Sequence, residues 1–215
     1  MSLKRWLTGV FVLLMVTAWP ASYFAASLQQ ARLDFDRQSL LQMLGEDAID
    51  NDPVADAVLI KADGSQNFVN PQWLGLQRDR FAYLGKQQGE VVLVVLPFTI
   101  HDGFNGTLDL LVAFDMRGEI AAARVLAPAR SDRLAGELLI RESRWMRDFS
   151  GMGSRDLRRP SWQGIEADDG VDQFVGASLT PKAVAAGMYD ALLFFQSNRM
   201  ALIQAAASLE SDTNN

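Results

Sequence analysis

The stretch Gly176-Ala177-Ser178-Leu179-Thr180-Pro181-Lys182-Ala183-Val184 places two hydroxyls, two small residues and a proline at the mouth of an apolar-periodic run. Thr is a good N-cap and Pro suits the first helical position, so Thr180 reads as the cap of a helix opening at Pro181. Capping alone accounts for the pattern. The same pattern also suits an anion. Free backbone N–H groups and the positive end of the dipole favour a phosphate at a helix start. Gly176 and Ala177 let a ligand approach the backbone closely, and Ser178 adds a hydroxyl.

Other chemistries are narrowed by composition. The chain has 215 residues, no cysteine and one histidine, His101. That excludes disulfides, thiolate metal sites, Cys nucleophiles and multi-His metal centres. Neither paired carboxylates nor a catalytic triad stands out, so nothing points to hydrolysis. The formal net charge is −6 and there is no Lys/Arg-rich block, which argues against nucleic acid as a partner. Apolar residues make up 49%, enough for a packed core. His101 reads as a solvated or locally bonded turn histidine, with a proton-relay role as the alternative. Arg155, Arg158 and Arg159 read as a solvated loop, or as contacts to a phosphate or a neighbouring subunit. Phe194 and Phe195 read as core. Trp73 and Trp162 read as packing residues, or as platforms for an aromatic ring.

The elements that must position these residues follow from periodicity. An uncharged run from Trp6 to Ala31 follows Lys4 and Arg5. It is long enough to cross a bilayer core of roughly 30 Å, and the positive-inside rule puts the N-terminus in the cytoplasm. A cleaved signal peptide ending near Ala25 and Ala26 is the competing reading; both export the rest of the chain. Gln29 to about Glu46 reads as an amphipathic helix on Leu33, Leu40, Leu41 and Leu44, stopped by Gly45. Residues 57–60 and 67–70 read as short strands, and 89–100 as a buried strand. Residues 101–106 read as a turn, and 107–127 as two strands joined at Met116-Arg117-Gly118. Residues 141–149 read as a short helix, 150–162 as a loop, Pro181 to about Leu209 as a long helix, and 210–215 as a frayed tail. Strands in the middle and helices at the ends make an α+β domain with a central antiparallel sheet. The organisation expected is an anchor at 1–28, a stalk helix at 29–50, one domain at 51–209 and a tail at 210–215.

The segment Asp172 to Thr180, "DQFVGASLT", resembles the flavinylation motif D-x-x-[ST]-G-A-[ST]-x-[ST] of the FMN-binding domain family. The likeness is greatest to the G subunits of Rnf ion-translocating electron-transport complexes. The C subunits of Na⁺-translocating NADH:quinone reductases are cousins. It extends through Gly103, Phe104, Gly106, Leu110, Leu111, Val112, Asp115, Gly118, Ile120, Val125 and Leu126, and again through Trp145, Phe149 and Gly151. The resemblance implies FMN joined to Thr180 by a phosphoester bond. It implies a flavin transferase that recognises Asp172, and a membrane-anchored electron carrier with an extracytoplasmic domain. Its partners would be the other subunits of a complex that couples ferredoxin–NAD electron transfer to ion movement. Gly176, Ala177 and Ser178 would line the attachment site. Two positions depart from the pattern. Val175 replaces a hydroxyl residue, and Pro128–Ala135 replaces the family's H-x-E-T-P-G-L-G, keeping Leu134 and placing Ser131 where the family has Thr. An altered flavin environment is therefore expected, with Arg130 or Arg133 favouring a reduced anionic flavin. A flavin-free structural or assembly subunit, and a tethered redox sensor or donor to another exported reductase, are the rival readings.

Overall fold

The computed structural model describes residues 30, 33–45, 47–103, 106–126, 145–158 and 179–213. The chain divides into two units, Met1–Leu40 and Leu41–Asn215. In the first unit, residues 33–40 are helical, with Arg37 paired to Asp34 at 2.8 Å one turn away. Helical conformation continues through residue 44 and ends at Gly45, as expected. Gly45 takes φ 91°, and its N–H donates to the Leu41 carbonyl at 2.9 Å, the left-handed stop that glycine supplies most readily. The expected anchor at 1–28 lies outside the described residues. Among the described residues, no helix is long and apolar enough to cross a membrane.

The second unit is built on a five-stranded antiparallel sheet in the order β1-β2-β3-β4-β5. The strands are β1 (Val58–Ile60), β2 (Arg80–Gln87), β3 (Glu90–Gly103), β4 (Gly106–Asp115) and β5 (Ile120–Val125). The expected α+β class with a central antiparallel sheet holds for this unit. β3 forms because its β-branched run is buried on both faces. Val94, Leu96 and Phe98 are at most 1% exposed, and Val95, from the opposite face, is also fully buried. Across the β3–β4 ladder, Val94 faces Phe114, Leu96 faces Val112, Phe98 faces Leu110 and Ile100 faces Leu108. This file of apolar pairs is the floor on which the C-terminal helix packs.

The β4–β5 turn forms where Met116-Arg117-Gly118 predicts it. Asp115 Oδ1 accepts the N–H groups of Arg117 and Glu119, each at 2.9 Å, and Gly118 takes φ 86°. Burial pushes the Asp115 carboxyl up. The Glu119 N–H and the Arg117 side chain and N–H outweigh it and hold the group below the ordinary carboxylate value. A depressed folded pKa contributes stability above the unfolded value, lost as pH falls through the folded one. Urea midpoints measured from about pH 5 down to about pH 2 should therefore fall less steeply in Asp115→Asn than in the wild type.

Three expectations are corrected. Residues 67–70 are not a strand. Asn70 takes φ 52° and starts a one-turn 3-10 helix over Pro71–Leu74. The Val69 N–H donates to Asn198 Oδ1 at 2.6 Å, and the Val69 carbonyl accepts from Asn198 Nδ2 at 2.9 Å. A side chain from the C-terminal helix thus takes the bonds a strand neighbour would make. Asn198→Ala should cost about 2 kcal/mol, because both Val69 groups and the Phe194 carbonyl lose a partner. A lower urea midpoint at unchanged m-value is the check. The turn expected at 101–106 is narrower, since β3 continues to Gly103 and β4 resumes at Gly106. The loop expected at 150–162 contains a helical turn, Ser154–Leu157, whose Asp156 carboxylate accepts the Gly153 N–H at 3.1 Å. Just before it, Gly151 and Met152 bond to Ile120 and cover part of the β5 edge. Of the helix expected at 141–149, the described part is Trp145–Asp148.

Candidate functional site at one end of the sheet

The C-terminal helix spans Leu179–Thr213, so it is longer than expected at both ends. Thr180 lies in its first turn and not at a cap before Pro181. Pro181 is harmless there, because the first N–H groups of a helix have no intrahelical acceptor.

The contacts of this helix fix its direction. A Cβ at Gly187 would lie 2.7 Å from Ile100 Cγ2 and 2.9 Å from the Phe98 ring, so the helix backbone rests on β3 at that point. Two turns later Phe195 stacks on Phe114, with ring centroids 5.3 Å apart and planes 19° from parallel. One turn further, the Arg199 guanidinium donates to the Met116 carbonyl at 2.7 Å. Phe114 faces Val94, so the helix runs antiparallel to β3. Its first turn therefore projects beyond Ile100, towards the β3–β4 turn.

Two other segments reach the same end. β5 finishes with Val125 opposite Leu110, and the Leu126 N–H donates to the Asp109 carbonyl at 2.8 Å. The chain towards 128–135 thus departs from the end that receives the helix start. The 3-10 turn closes onto the outgoing part of β3. Gly75, at φ 59°, lies against the Thr99 carbonyl with no room for a Cβ. His101 is a β3 residue and its ring is bonded locally. Nε2 lies 2.9 Å from the Gly75 carbonyl and Nδ1 3.3 Å from the Gln77 amide nitrogen. A neutral ring donating from Nε2 and accepting at Nδ1 satisfies both contacts. This matches the locally bonded reading of His101, in a strand where a turn was expected.

Of the residues singled out from sequence, Phe194 and Phe195 are core, at 0% and 1% exposure. Trp73 is half-buried against that core. Arg155 and Arg158 are exposed. Asp172, Gly176, Ala177, Ser178, Ser131, Leu134, Arg130, Arg133, Val175, Arg159 and Trp162 lie outside the described residues. The described part of the site fits a phosphate in one respect. Leu179 and Thr180 are the first described residues of a helix that packs on β3, and a helix N-terminus favours a phosphate.

Sequence reasoning missed two features at this end. The first is Gly187, legible only as a glycine inside a helical pattern. The second is an ionic group around Asp109, the lone charge in the apolar run of β4. Thr99 Oγ1 donates to Asp109 Oδ1 at 2.7 Å, the Arg80 guanidinium pairs with Oδ2, and Arg78 approaches Oδ2 at 3.5 Å. Elsewhere on the helix, burial pushes the Asp190 carboxyl above its ordinary value. Among the described residues, no three acidic or histidine side chains are grouped to hold a metal ion.

The sequence pattern of the FMN-binding domain family matches residues 103–193, from the β3–β4 turn into the C-terminal helix. Relatives cover nearly the whole chain. The G subunit of the ion-translocating oxidoreductase complex of Pseudomonas aeruginosa (strain UCBPP-PA14) is 30% identical over 200 residues, 92% of this chain and 89% of that one. The protein of the same name from Shewanella loihica (strain PV-4) is 29% identical over 208 residues, 95% and 93% of the two chains. The one from Vibrio atlanticus is 27% identical over 164 residues, 76% and 74% of the two chains. At 30% identity over 92% of its length, this protein belongs to the family of G subunits of ion-translocating oxidoreductase complexes.

Proposed function

We propose that this chain is the flavin-carrying electron-transfer subunit of an Rnf-like ion-translocating ferredoxin:NAD oxidoreductase complex, with FMN joined covalently to Thr180. The observation that carries the reading is the FMN-binding match over 103–193, which includes Thr180 in the first turn of a helix packed along β3. The flavin supplies the redox chemistry, and the chain supplies attachment, position and electrostatic surroundings. Asp172 would be read by a flavin transferase during maturation, and Gly176, Ala177 and Ser178 would admit the phosphate. Ser131 and Leu134 would approach the cofactor from the segment leaving β5. Residues 1–28 would anchor the protein in the inner membrane by one span, with the N-terminus cytoplasmic. Residues 29–50 would form a stalk, and 51–209 the extracytoplasmic domain. Covalent attachment suits that compartment, where a dissociated cofactor would be lost.

The test uses protein purified from its own membranes. A denaturing gel should show a flavin-fluorescent band, and peptide mass spectrometry should place one FMN on Thr180. Thr180→Ala should abolish the fluorescence and leave the protein folded. A dark, unmodified wild-type band from cells with an active flavin transferase would overturn the reading. It would favour the flavin-free scaffold that the departures at Pro128–Ala135 and Val175 allow.

A further inference from the structure

We propose that the Gln66 side chain is a block on the β1 edge of the sheet. It takes the backbone groups of β1 that a second copy of this chain would bond, and so keeps the domain from pairing edge to edge. Among the described residues, β1 has a strand on one side only. It meets β2 at Val58, Leu59 and Ile60. Alternate residues of a strand turn their backbone groups to opposite edges, and a ladder limited to these positions bonds through its two end residues, Val58 and Ile60. Leu59 and Lys61 therefore face outward. Gln66 Nε2 donates to the Leu59 carbonyl at 2.8 Å, and Gln66 Oε1 accepts the Lys61 N–H at 2.8 Å. A single side-chain amide thus makes the bonds of a neighbouring strand's peptide group. The Asp79 carboxylate takes the next N–H, that of Ala62, at 3.0 Å. A turn brings Gln66 back to the strand. The Gly64 N–H donates to the Lys61 carbonyl at 3.2 Å, Gly64 takes φ 69°, and Asp63 Oδ1 accepts the Ser65 N–H at 2.9 Å.

The β5 edge is closed differently. There the Gly151 N–H donates to the Ile120 carbonyl at 2.7 Å, and the Ile120 N–H donates to the Met152 carbonyl at 2.9 Å, so main chain covers main chain. At β1 the cover is a side chain, which a single substitution removes. Unpaired backbone groups on a sheet edge are a template for another strand. The edge beneath Gln66 suits a second copy because it is self-complementary. A two-fold axis at Ile60 sets Leu59 of each copy opposite Lys61 of the other, so each Leu59 carbonyl accepts the other chain's Lys61 N–H. Apolar surface lies beside these groups. Leu59 is half-buried, and its cross-strand neighbour Phe81 is 48% exposed. Pairing would cover both. The Lys61 charge, which the same axis brings towards its copy, has the Asp63 carboxylate beside it.

The test measures the mass of the full-length protein in detergent by light scattering, over a wide range of concentration. The wild type should stay at one chain per particle. Gln66→Leu keeps the bulk of the side chain and removes both bonds, so it should pass from one chain to two as concentration rises. Adding Lys61→Pro to Gln66→Leu should return it to one chain. Proline has no N–H to give a second copy, and a sheet edge tolerates it. Far-UV circular dichroism on the same samples shows that each variant is folded. If Gln66→Leu does not fold, Gln66→Ala takes its place. A folded Gln66 variant that stays at one chain throughout overturns the inference. So does association that persists undiminished with Lys61→Pro, since another surface would then be joining the copies. A wild type that already pairs, and that Lys61→Pro separates, overturns it too, because Gln66 would then not be blocking the edge.

Discussion

Lys86→Met should destabilise the second unit by about 3 kcal/mol or more, the range for removing one partner of a buried ion pair. Lys86 Nζ lies 3.2 Å from Asp56 Oδ2, and the two side chains are only 13% and 10% exposed. Asn51 completes the arrangement. Its Nδ2 donates to Asp56 Oδ2 at 2.6 Å and to the Leu84 carbonyl at 2.8 Å, and its Oδ1 accepts the Lys86 N–H at 2.7 Å. The Asp50 N–H donates to the Lys86 carbonyl at 2.9 Å, and Asp50 Oδ2 accepts the Gln88 N–H at 2.6 Å. This polar cluster binds the segment before β1 to the end of β2. Removing only the ammonium leaves the Asp56 carboxylate nearly dry, with Asn51 in place of a countercharge. The double variant Lys86→Met with Asp56→Leu should recover most of the loss, since a buried pair and an apolar pair of similar size differ little. Urea titration of the wild type, both single variants and the double variant gives the coupling energy. A single-variant loss below about 0.5 kcal/mol would mean that the pair is screened like a surface one.

The parts of the fold legible in the sequence are those whose signal is local. β3 is legible because Val91, Val92, Val94 and Val95 leave few alternatives to a buried strand. The β4–β5 turn is legible because Asp115 and Gly118 meet its hydrogen-bonding and backbone needs within five residues. β2 is not legible. Its sequence, "RFAYLGKQ", buries Ala82 and Leu84 but exposes Phe81, and Gly85 is present because Ile49 packs directly over it. Residues 67–70 mislead for a related reason. Val69 is held by Asn198, which no local pattern associates with it.

The candidate site divides in the same way. Thr180, Gly176, Ala177 and Ser178 are singled out by their resemblance to a family motif, since as a pattern they read equally well as a helix cap. What carries the helix to that place is not legible. A glycine in a helix normally lowers helix stability, so Gly187 reads as a weak point until Phe98 and Ile100 are seen beneath it. Asp109 likewise reads as a solvent-facing residue of β4 until Arg80 and Thr99 are seen around it.

Gly187→Leu should therefore cost about 3 kcal/mol and reduce the fraction of chains carrying FMN. The clash falls on atoms that cannot yield cheaply. Ile100 Cγ2 belongs to a β-branched residue fixed in a strand, and the Phe98 ring is 1% exposed in the centre of the core. The helix must lift from the sheet instead, and Val184, Met188 and Ala191, all at 0% exposure, lose contact with the apolar floor. Overpacking of this kind costs about 1–3 kcal/mol. Gly187→Ala is the graded comparison. Its Cβ meets the same two residues, but alanine regains about 1 kcal/mol of helix propensity over glycine, so its net loss should be smaller. Ala186→Leu, one residue away on the exposed face, is the control and should leave both stability and flavin loading near wild type. Loading and stability are read on the same samples, by the ratio of flavin to protein absorbance and by thermal unfolding. If Gly187→Leu loads and melts as the wild type does, the helix is not seated at Gly187, and the position of Thr180 is set by something other than β3. If both fall in the order Gly, Ala, Leu, the close approach at Gly187 is what aims Thr180, the proposed attachment residue, past the end of the sheet.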